Sequence, residues 1–266
     1  MTPNVTPSYD VRGPSSHLAS SGMTPSRRLP GGAVRDLTVP FVTKLYDRYL
    51  DELQLVRKEQ RELHEINANA GMKAQLDDLE AEITYLLLRE YRPDTVVEIG
   101  SLHGWSTSWI LRALRDNGSG ELHTFDRINN ATRYVPPDLS AGRWTFVHGD
   151  VRRNLPRIPA TVDYLFIDAA HSARFARWYL AALLPTLPSG TPVSVHDVFH
   201  GRSPLPFTEG SVLLDWLGSR QIPYLTASPA KSPEVYRELM RVRTDLGLVE
   251  PIHRGKDNPM AFFNLA

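Results

Sequence analysis

The sequence predicts an α/β protein with a mainly parallel β-sheet, helices on both faces of the sheet, and further helices at the N-terminus. From Thr95 onward, short runs rich in β-branched residues alternate with runs of helical periodicity, which is typical of parallel strands joined by crossover helices. The first of these runs leads into a loop with glycines at positions 100 and 104, and a helix is predicted to start near Trp105. Glycine allows a close backbone approach and a helix start presents free N–H groups, so this loop is a candidate ligand site.

The remaining elements follow from the same two periodicities. Six runs are predicted as strands: Thr95–Gly100, Glu121–Asp126, Trp144–Gly149, Val162–Asp168, Pro192–His196 and Met260–Leu265. Helical patterns in the gaps include Ser172–Leu184, Ser211–Leu217 and Glu234–Val242. Two longer loops, 198–209 and 247–259, are expected to border the ligand pocket, because long loops near strand ends in α/β proteins are frequently lids.

The chain before the first strand has a different composition. Residues 1–32 are rich in Pro, Ser, Thr and Gly and have almost no apolar periodicity, so they are predicted to be a disordered tail. Residues 33–72 are predicted as an N-terminal helical extension that begins after a cap at Thr38. Residues 73–266 are predicted to form the main domain.

Composition excludes several classes of protein. The formal net charge is zero, so there is no electrostatic case for binding nucleic acid, and the 266 residues contain no cysteine, which excludes disulfides and thiolate metal sites. No apolar run approaches 18 residues and the first residues lack the apolar core of a signal peptide, so a cytoplasmic protein without a membrane partner is expected. The expected partner is a small-molecule substrate. A homodimer is the expected assembly, and a different partner protein stays open.

Polar residues close nearly every predicted strand. In an open α/β sheet, ligands bind beyond the carboxyl ends of the strands, and these residues are therefore the candidates for chemistry. They are Glu98 and Gly100, Asp126, Gly149 with Asp150, Asp168, and His196 with Asp197.

The segment from Glu98 to Thr107 carries a family resemblance. It reads acid, x, Gly, small, x, x, Gly, aromatic, Ser, Thr, and with the strands that follow it resembles the class I S-adenosylmethionine-dependent methyltransferases over Leu76–Ala266. The form of the loop is similar to that of small-molecule O-methyltransferases, and the chain as a whole resembles their catechol, cephalosporin and sugar types. The resemblance implies a Rossmann-like, seven-stranded methyltransferase sheet and S-adenosylmethionine as cofactor. A nicotinamide-binding Rossmann fingerprint would need glycine where Leu102 stands.

The resemblance also implies the residues that contact the cofactor. Asp126 is expected to accept hydrogen bonds from both ribose hydroxyls, because the two oxygens of a carboxylate suit a vicinal diol. Asp150 is expected to lie beside the adenine amine. The full expected set is Glu98, Gly100, Ser101, His103, Gly104, Ser106, Asp126, Gly149, Asp150 and Asp168.

The ends of the fourth and fifth strands resemble the divalent-metal site of those O-methyltransferases. The equivalent ligands are Asp168, His196 and Asp197. A histidine in place of an oxygen ligand weakens the case for magnesium and favours a transition metal or no metal. The resemblance gives His171 the place of the catalytic base, three residues beyond the metal-binding acid. His200 is the second catalytic candidate.

The sequence therefore predicts methyl transfer from S-adenosylmethionine to a hydroxyl, or less readily an amine, of a small molecule of the secondary-metabolite kind. Two alternatives stay open, because one fold hosts many functions. In the first, His171, His196 and His200 act as acid and base in an elimination or cyclisation on a repurposed methyltransferase fold. In the second, the chain is a non-catalytic partner subunit.

Overall fold

A seven-stranded sheet forms the centre of the computed structural model, which describes residues 36–199, 201–255 and 259–266. The strands are β1 (Thr95–Ile99), β2 (Glu121–Asp126), β3 (Trp144–His148), β4 (Tyr164–Ile167), β5 (Pro192–Val195), β6 (Tyr224–Leu225) and β7 (Ala261–Asn264). Their spatial order is β3-β2-β1-β4-β5-β7-β6, and β7 runs antiparallel to both of its neighbours while the other pairs are parallel. The predicted sheet is confirmed. Strand β6 was absent from the predicted runs because it has only two residues, too few for an alternating pattern.

Helices cover both faces of the sheet. They are α1 (Val39–Arg48), α2 (Leu50–Ala68), α3 (Asp78–Tyr91), α4 (Trp105–Asn117), α5 (Ala131–Tyr134), α6 (Pro137–Ser140), α7 (Ala173–Trp178), α8 (Glu209–Ser219) and α9 (Pro233–Asp245). Helix α1 begins after Thr38, whose hydroxyl accepts a hydrogen bond from the Phe41 N–H as the sequence predicted. Helix α7 continues through a π-helical turn over Tyr179–Leu183 and a 3-10 turn, which together account for the longer predicted helix. None of the helices in the described ranges combines the length and the apolar character needed to cross a membrane.

Alternation along the strands divides the core into two layers. In β1, Val96 packs into one apolar cluster with residues of α1 to α4, whereas Val97 and Ile99 pack into the other with residues of α7 and α8. Glu98 shares the face of Val96, under α4, and is completely buried. The period of two therefore directs this acid into the core.

A buried ionic cluster joins the N-terminal helices to the rest of the domain. Glu82 of α3 accepts hydrogen bonds from the Tyr46 hydroxyl at 2.8 Å and from the Arg243 guanidinium at 2.8 Å, and it also pairs with Arg57. These partners come from α1, α9 and α2. Because every charge in the cluster has an opposite partner, the desolvation cost of burial is offset, and the predicted extension packs as part of the core.

The strand ends are level along one edge of the sheet. Backbone hydrogen bonds continue one residue beyond the strands, from the Gly100 N–H to Phe125, from the Asp168 N–H to Ile99 and from the His196 N–H to Ile167. The polar residues that close the strands therefore project into one region.

Candidate active site

A cavity of about 550 Å³ lies at the carboxyl ends of β1 to β5. This volume is within the range of small-molecule and cofactor pockets. Of the residues predicted from the sequence as cofactor, metal or catalytic residues, the lining contains Gly100, Asp126, Gly149, Asp150, Asp168, His171 and Asp197. Neither long loop contributes a described residue to the lining, contrary to the expectation for 198–209 and 247–259. The first packs against residues 171–173 and the second against α3, where its backbone bonds to Asp78.

Gly100 brings the loop after β1 into direct contact with the end of β4. Its φ of +89° is in the region that favours glycine, and a Cβ atom at this position would lie 1.8 Å from the carbonyl oxygen of Asp168. No side chain can be accommodated against a backbone oxygen at that distance. Only glycine allows the β1 loop to sit this close to β4.

Asp126 holds the same loop from the other side. Its Oδ2 atom accepts hydrogen bonds from the N–H groups of Ser101 (2.7 Å) and Leu102 (2.8 Å) and from the Ser101 hydroxyl (3.1 Å). Its Oδ1 atom accepts one hydrogen bond, from the Ile128 N–H at 2.9 Å. Asp126 therefore lines the cavity and also fixes the loop, a role that the sequence analysis did not include.

Glu98 and Ser106 lie beneath the cavity and are not part of its lining. The Glu98 carboxylate accepts hydrogen bonds from the hydroxyls of Ser106 (2.6 Å), Thr107 (2.7 Å) and Thr124 (2.8 Å). Burial raises the pKa of Glu98 to about 7, although the three hydrogen bonds oppose the shift. These two predicted cofactor contacts instead join the start of α4 to β1 and β2.

The other predicted cofactor contacts in the loops also fall into two groups, inside and outside the cavity lining. Gly149 and Asp150 line the cavity, and hydrogen bonds from Arg152 lower the pKa of Asp150 to about 2. Ser101, His103 and Gly104 are outside the lining. The His103 ring packs edge-on against Tyr134 with the ring centres 5.4 Å apart, and burial lowers its pKa.

At the opposite end of the cavity, three acids surround His171. Its Nε2 atom lies 3.5 Å from Asp168 Oδ1 and 3.2 Å from Asp197 Oδ2, and its Nδ1 atom lies 3.4 Å from Glu209 Oε2. Burial lowers the pKa of His171, but contact with Glu209 and the charges of all three acids outweigh burial, so the net shift is upward. Asp168, His171 and Asp197 offer ligand atoms that all lie within 4.8 Å of one another, close enough together to hold a metal ion.

His196, which the sequence predicted as a metal ligand, is buried beside the two acids and also contacts α3. Its Nδ1 atom lies 3.4 Å from Asp168 Oδ1 and 3.4 Å from Asp197 Oδ1, but the ring is buried, and its Nε2 atom is 3.4 Å from Glu80 Oε2 of α3. Burial lowers the pKa of His196, yet the charges of Asp168 and Glu80 raise it well above its usual value. Among the described residues, the group that could hold a metal ion thus contains His171 where the sequence suggested His196. His200 lies outside the described residues.

Several lining residues were not foreseen. Arg127 and Ile128 directly follow the acid that closes β2, so their position was a usable signal, whereas Gln75 precedes α3 and is remote in sequence from every motif. Glu209 could not be found from the sequence, because it is separated from His171 by the whole of α7 and β5.

Comparisons with known proteins agree with this architecture. Residues 97–198 match the protein-family model described as a methyltransferase domain. No curated protein matches the chain. Among solved structures, a Klebsiella pneumoniae protein assigned as an O-methyltransferase is 18% identical, with 79% of this chain and 90% of that one covered and a TM-score of 0.53.

A Staphylococcus aureus protein assigned as a caffeoyl-CoA O-methyltransferase is 14% identical, with 87% of this chain and 100% of that one covered, also at a TM-score of 0.53. At these identities the likeness is one of fold. The matched segment runs from β1 to the residues after β5 and so includes the glycine loop and the acids around the cavity. Residues 97–198 therefore match a methyltransferase domain, and the chain has the fold of the class I S-adenosylmethionine-dependent methyltransferases.

Proposed function

We propose that the protein transfers the methyl group of S-adenosylmethionine to a hydroxyl oxygen of a small molecule. The observation that carries the proposal is one cavity with two chemically different ends. One end has the glycine loop and Asp126, and the other has Asp168, His171 and Asp197. The two solved structures described above are both assigned as O-methyltransferases, which supports oxygen over nitrogen as the acceptor.

At the donor end, Asp126 is the residue that selects the nucleoside. Its Oδ2 atom already accepts three hydrogen bonds from the loop, whereas Oδ1 accepts only one. A carboxylate oxygen has two lone-pair directions, so Oδ1 is the atom left for a ribose hydroxyl. We therefore expect Asp126 Oδ1 to accept a hydrogen bond from one ribose hydroxyl, in place of the contacts with both hydroxyls that the sequence suggested.

At the acceptor end, His171 takes the proton of the hydroxyl. As the acceptor oxygen forms its bond to the methyl carbon, the carbon–sulfur bond breaks, the sulfur keeps the electron pair, and the proton moves to Nε2 of His171. In-line transfer of this kind depends mainly on alignment, which the level strand ends supply. A correctly placed base contributes on the order of 10²- to 10⁴-fold in rate.

The acceptor end also fits a divalent cation. Two carboxylates and an imidazole converge within 4.8 Å, and the group has an excess of negative charge that a cation would balance. Asp168, Asp197 and one imidazole would hold the ion, and this mixed set of oxygen and nitrogen donors suits a transition metal at least as well as magnesium. A bound cation would lower the pKa of the acceptor hydroxyl.

The test of the function is binding followed by turnover. Titration calorimetry with S-adenosylhomocysteine is expected to give a defined affinity for the wild-type protein and none for Asp126→Ala, because this variant loses both the loop anchor and the acceptor for ribose. Asp138→Ala, which removes an exposed acid of α6, is the matched control and should bind as the wild type does. Incubation with methyl-labelled S-adenosylmethionine and a panel of small hydroxylated molecules should transfer label.

Absence of binding at millimolar S-adenosylhomocysteine would contradict the proposal. A second candidate function, elimination or cyclisation, is favoured by one observation: both His171 and His196 contact the same Asp168 oxygen and could serve as an acid–base pair. This second function predicts that S-adenosylmethionine binds but is not converted to S-adenosylhomocysteine. The labelling experiment described above measures that conversion.

A further inference from the structure

Asp150 and Arg152 form a close pair in the cavity lining, just beyond the end of β3. The Oδ1 atom of Asp150 accepts hydrogen bonds from the backbone N–H and from the Nε–H of Arg152, both at 3.0 Å. The Oδ2 atom accepts from the same Nε–H at 3.1 Å and from Nη2 at 2.5 Å. A carboxylate oxygen has two lone-pair directions. Arg152 alone therefore occupies both oxygens of Asp150.

The pair lies on the side of the cavity away from His171. The strand order β3-β2-β1-β4-β5 puts Asp150 beyond Asp126, whereas Asp168 and His171 follow β4 on the other side of the glycine loop. In the proposed function, Asp126 binds the ribose and the methyl group faces His171. The base of the nucleoside then extends from the ribose toward Asp150 and Arg152, where the family resemblance expects Asp150 to accept from the adenine amine.

A neutral amine competes poorly with this arginine for the oxygens of Asp150. The guanidinium carries a charge and presents parallel N–H groups that match a carboxylate, whereas the adenine amine is a neutral donor. The backbone N–H of Arg152 adds a third donor, which the 3-10 turn over Val151–Arg153 keeps in place. The adenine amine therefore gains little by displacing Arg152.

We propose that Arg152 keeps Asp150 occupied, so that this end of the cavity does not read the 6-amino group of adenine. This inference rests on the proposed function, because it concerns the nucleoside that Asp126 binds. The base is then held by apolar contact with other lining residues, which include Ile128 and Val151. A purine without the amine should fit as well as adenine does.

The experiment compares two ligands of the full chain by titration calorimetry. One is S-adenosylhomocysteine, and the other is its analogue with hydrogen in place of the 6-amino group, which keeps every ring nitrogen and loses only the amine. We expect the two dissociation constants of the wild type to agree within about threefold, whereas a hydrogen bond to a charged acceptor is worth on the order of 10- to 100-fold in affinity.

Arg152→Ala removes the side-chain donors and frees Oδ2 of Asp150. In this variant S-adenosylhomocysteine should bind about 10-fold or more tightly than the analogue. Arg153→Ala is the matched control, because Arg153 is an exposed arginine of the same turn outside the cavity lining, and it should keep the wild-type ratio. Addition of Asp150→Ala to Arg152→Ala should return the ratio to the wild-type value.

Two results in calorimetry would overturn the inference. A preference of about 10-fold or more for S-adenosylhomocysteine in the wild type would mean that Arg152 moves aside when the base binds. Equal affinities in Arg152→Ala would mean that Asp150 does not read the base even when it is freed. Binding of neither ligand to the wild type would instead contradict the proposed function.

Carbon-13 NMR of the Asp150 carboxyl tests the pair without a cofactor. Hydrogen bonds from Arg152, together with the charges of Arg152 and Arg127, lower the pKa of Asp150 to about 2 although burial opposes the shift. We expect this pKa to rise toward its ordinary value in Arg152→Ala and to stay low in Arg153→Ala. An ordinary pKa of Asp150 in the wild type would overturn the pairing whether or not S-adenosylhomocysteine binds.

Discussion

The two ends of the cavity are built differently. At the donor end, the acids are satisfied by the chain itself: Glu98 accepts from three hydroxyls, and Asp126 accepts from backbone N–H groups. At the acceptor end, Asp168 and Asp197 face imidazole rings at 3.2 to 3.5 Å. The donor end is therefore preformed by fixed hydrogen bonds, whereas the acids of the acceptor end face imidazole rings whose charge depends on protonation.

The largest expected effect is at the contact between the two ends. Gly100→Ala places a methyl group 1.8 Å from the Asp168 carbonyl oxygen, so the loop must move or the domain must fail to fold. We expect S-adenosylhomocysteine binding to be abolished and the melting temperature to fall sharply in thermal unfolding. Gly142→Ala is the matched control, since Gly142 has a φ of +72° and a Cβ there would meet nothing within 4 Å.

The control should therefore show only the cost of the left-handed backbone, about 1 kcal/mol. If the two variants lost the same stability and both bound S-adenosylhomocysteine, the close approach at Gly100 would have no functional meaning, and the donor end would not depend on it.

The second largest effect is expected at the acceptor end, where a substitution should lower turnover without changing the affinity for the cofactor. His171→Ala is expected to lower kcat by on the order of 10²- to 10⁴-fold, since a base is lost, while S-adenosylhomocysteine affinity changes less than about twofold. Calorimetry and steady-state kinetics measure the two quantities. His123→Ala, in β2 and beside Glu121, removes an imidazole outside the cavity lining and is the control.

The His171→Ala variant and its His123→Ala control also show whether His171 acts as a general base or as a metal ligand. Manganese binding followed by electron paramagnetic resonance should persist in His171→Ala if His196 supplies the nitrogen ligand, and should weaken if His171 does. A loss of S-adenosylhomocysteine affinity in His171→Ala would contradict the separation between the two ends.

The smallest effect concerns stability at the donor end. The pKa of Glu98 is about 7 in the folded protein against about 4.5 ordinarily, so between these values the folded state binds more protons than the unfolded one. The free energy of unfolding therefore falls as pH rises through this window. Glu98→Gln stays neutral and should lack this component, which is about 3 kcal/mol at most.

Denaturant unfolding of both proteins from pH 4.5 to 8 measures the difference. Asp77, whose pKa burial also raises to about 7, is present in both proteins, so its contribution cancels. Parallel stability curves would mean that the three hydroxyls offset the burial of the Glu98 carboxylate completely.

The donor end could be predicted from the sequence because its geometry is local. Parallel strands that end level bring Gly100, Asp126 and Gly149 to one edge, because Asp126 closes β2 and the two glycines directly follow β1 and β3. Among the predicted cofactor contacts that lie outside the lining, Glu98 carried an available signal, since alternation in β1 sets it on the face of Val96 and under α4.

The acceptor end could be predicted only in part. Asp168 and Asp197 follow their strands and were identified, but the division of labour between His171 and His196 depends on acids from distant helices. Glu80 of α3 contacts the buried ring of His196, and Glu209 of α8 contacts His171. No pattern along the chain links these pairs, because tertiary packing alone brings them together.

The contact between Gly100 and the Asp168 carbonyl has a consequence for the shape of the cavity. Since main chain touches main chain at this point, the distance between the glycine loop and the end of β4 is set by the backbone and not by any side chain. Exchange of other lining residues, such as Ala170 or Phe175, can change the shape of the cavity while this distance stays constant. The shape of the cavity can in this sense change independently of the spacing between its two ends.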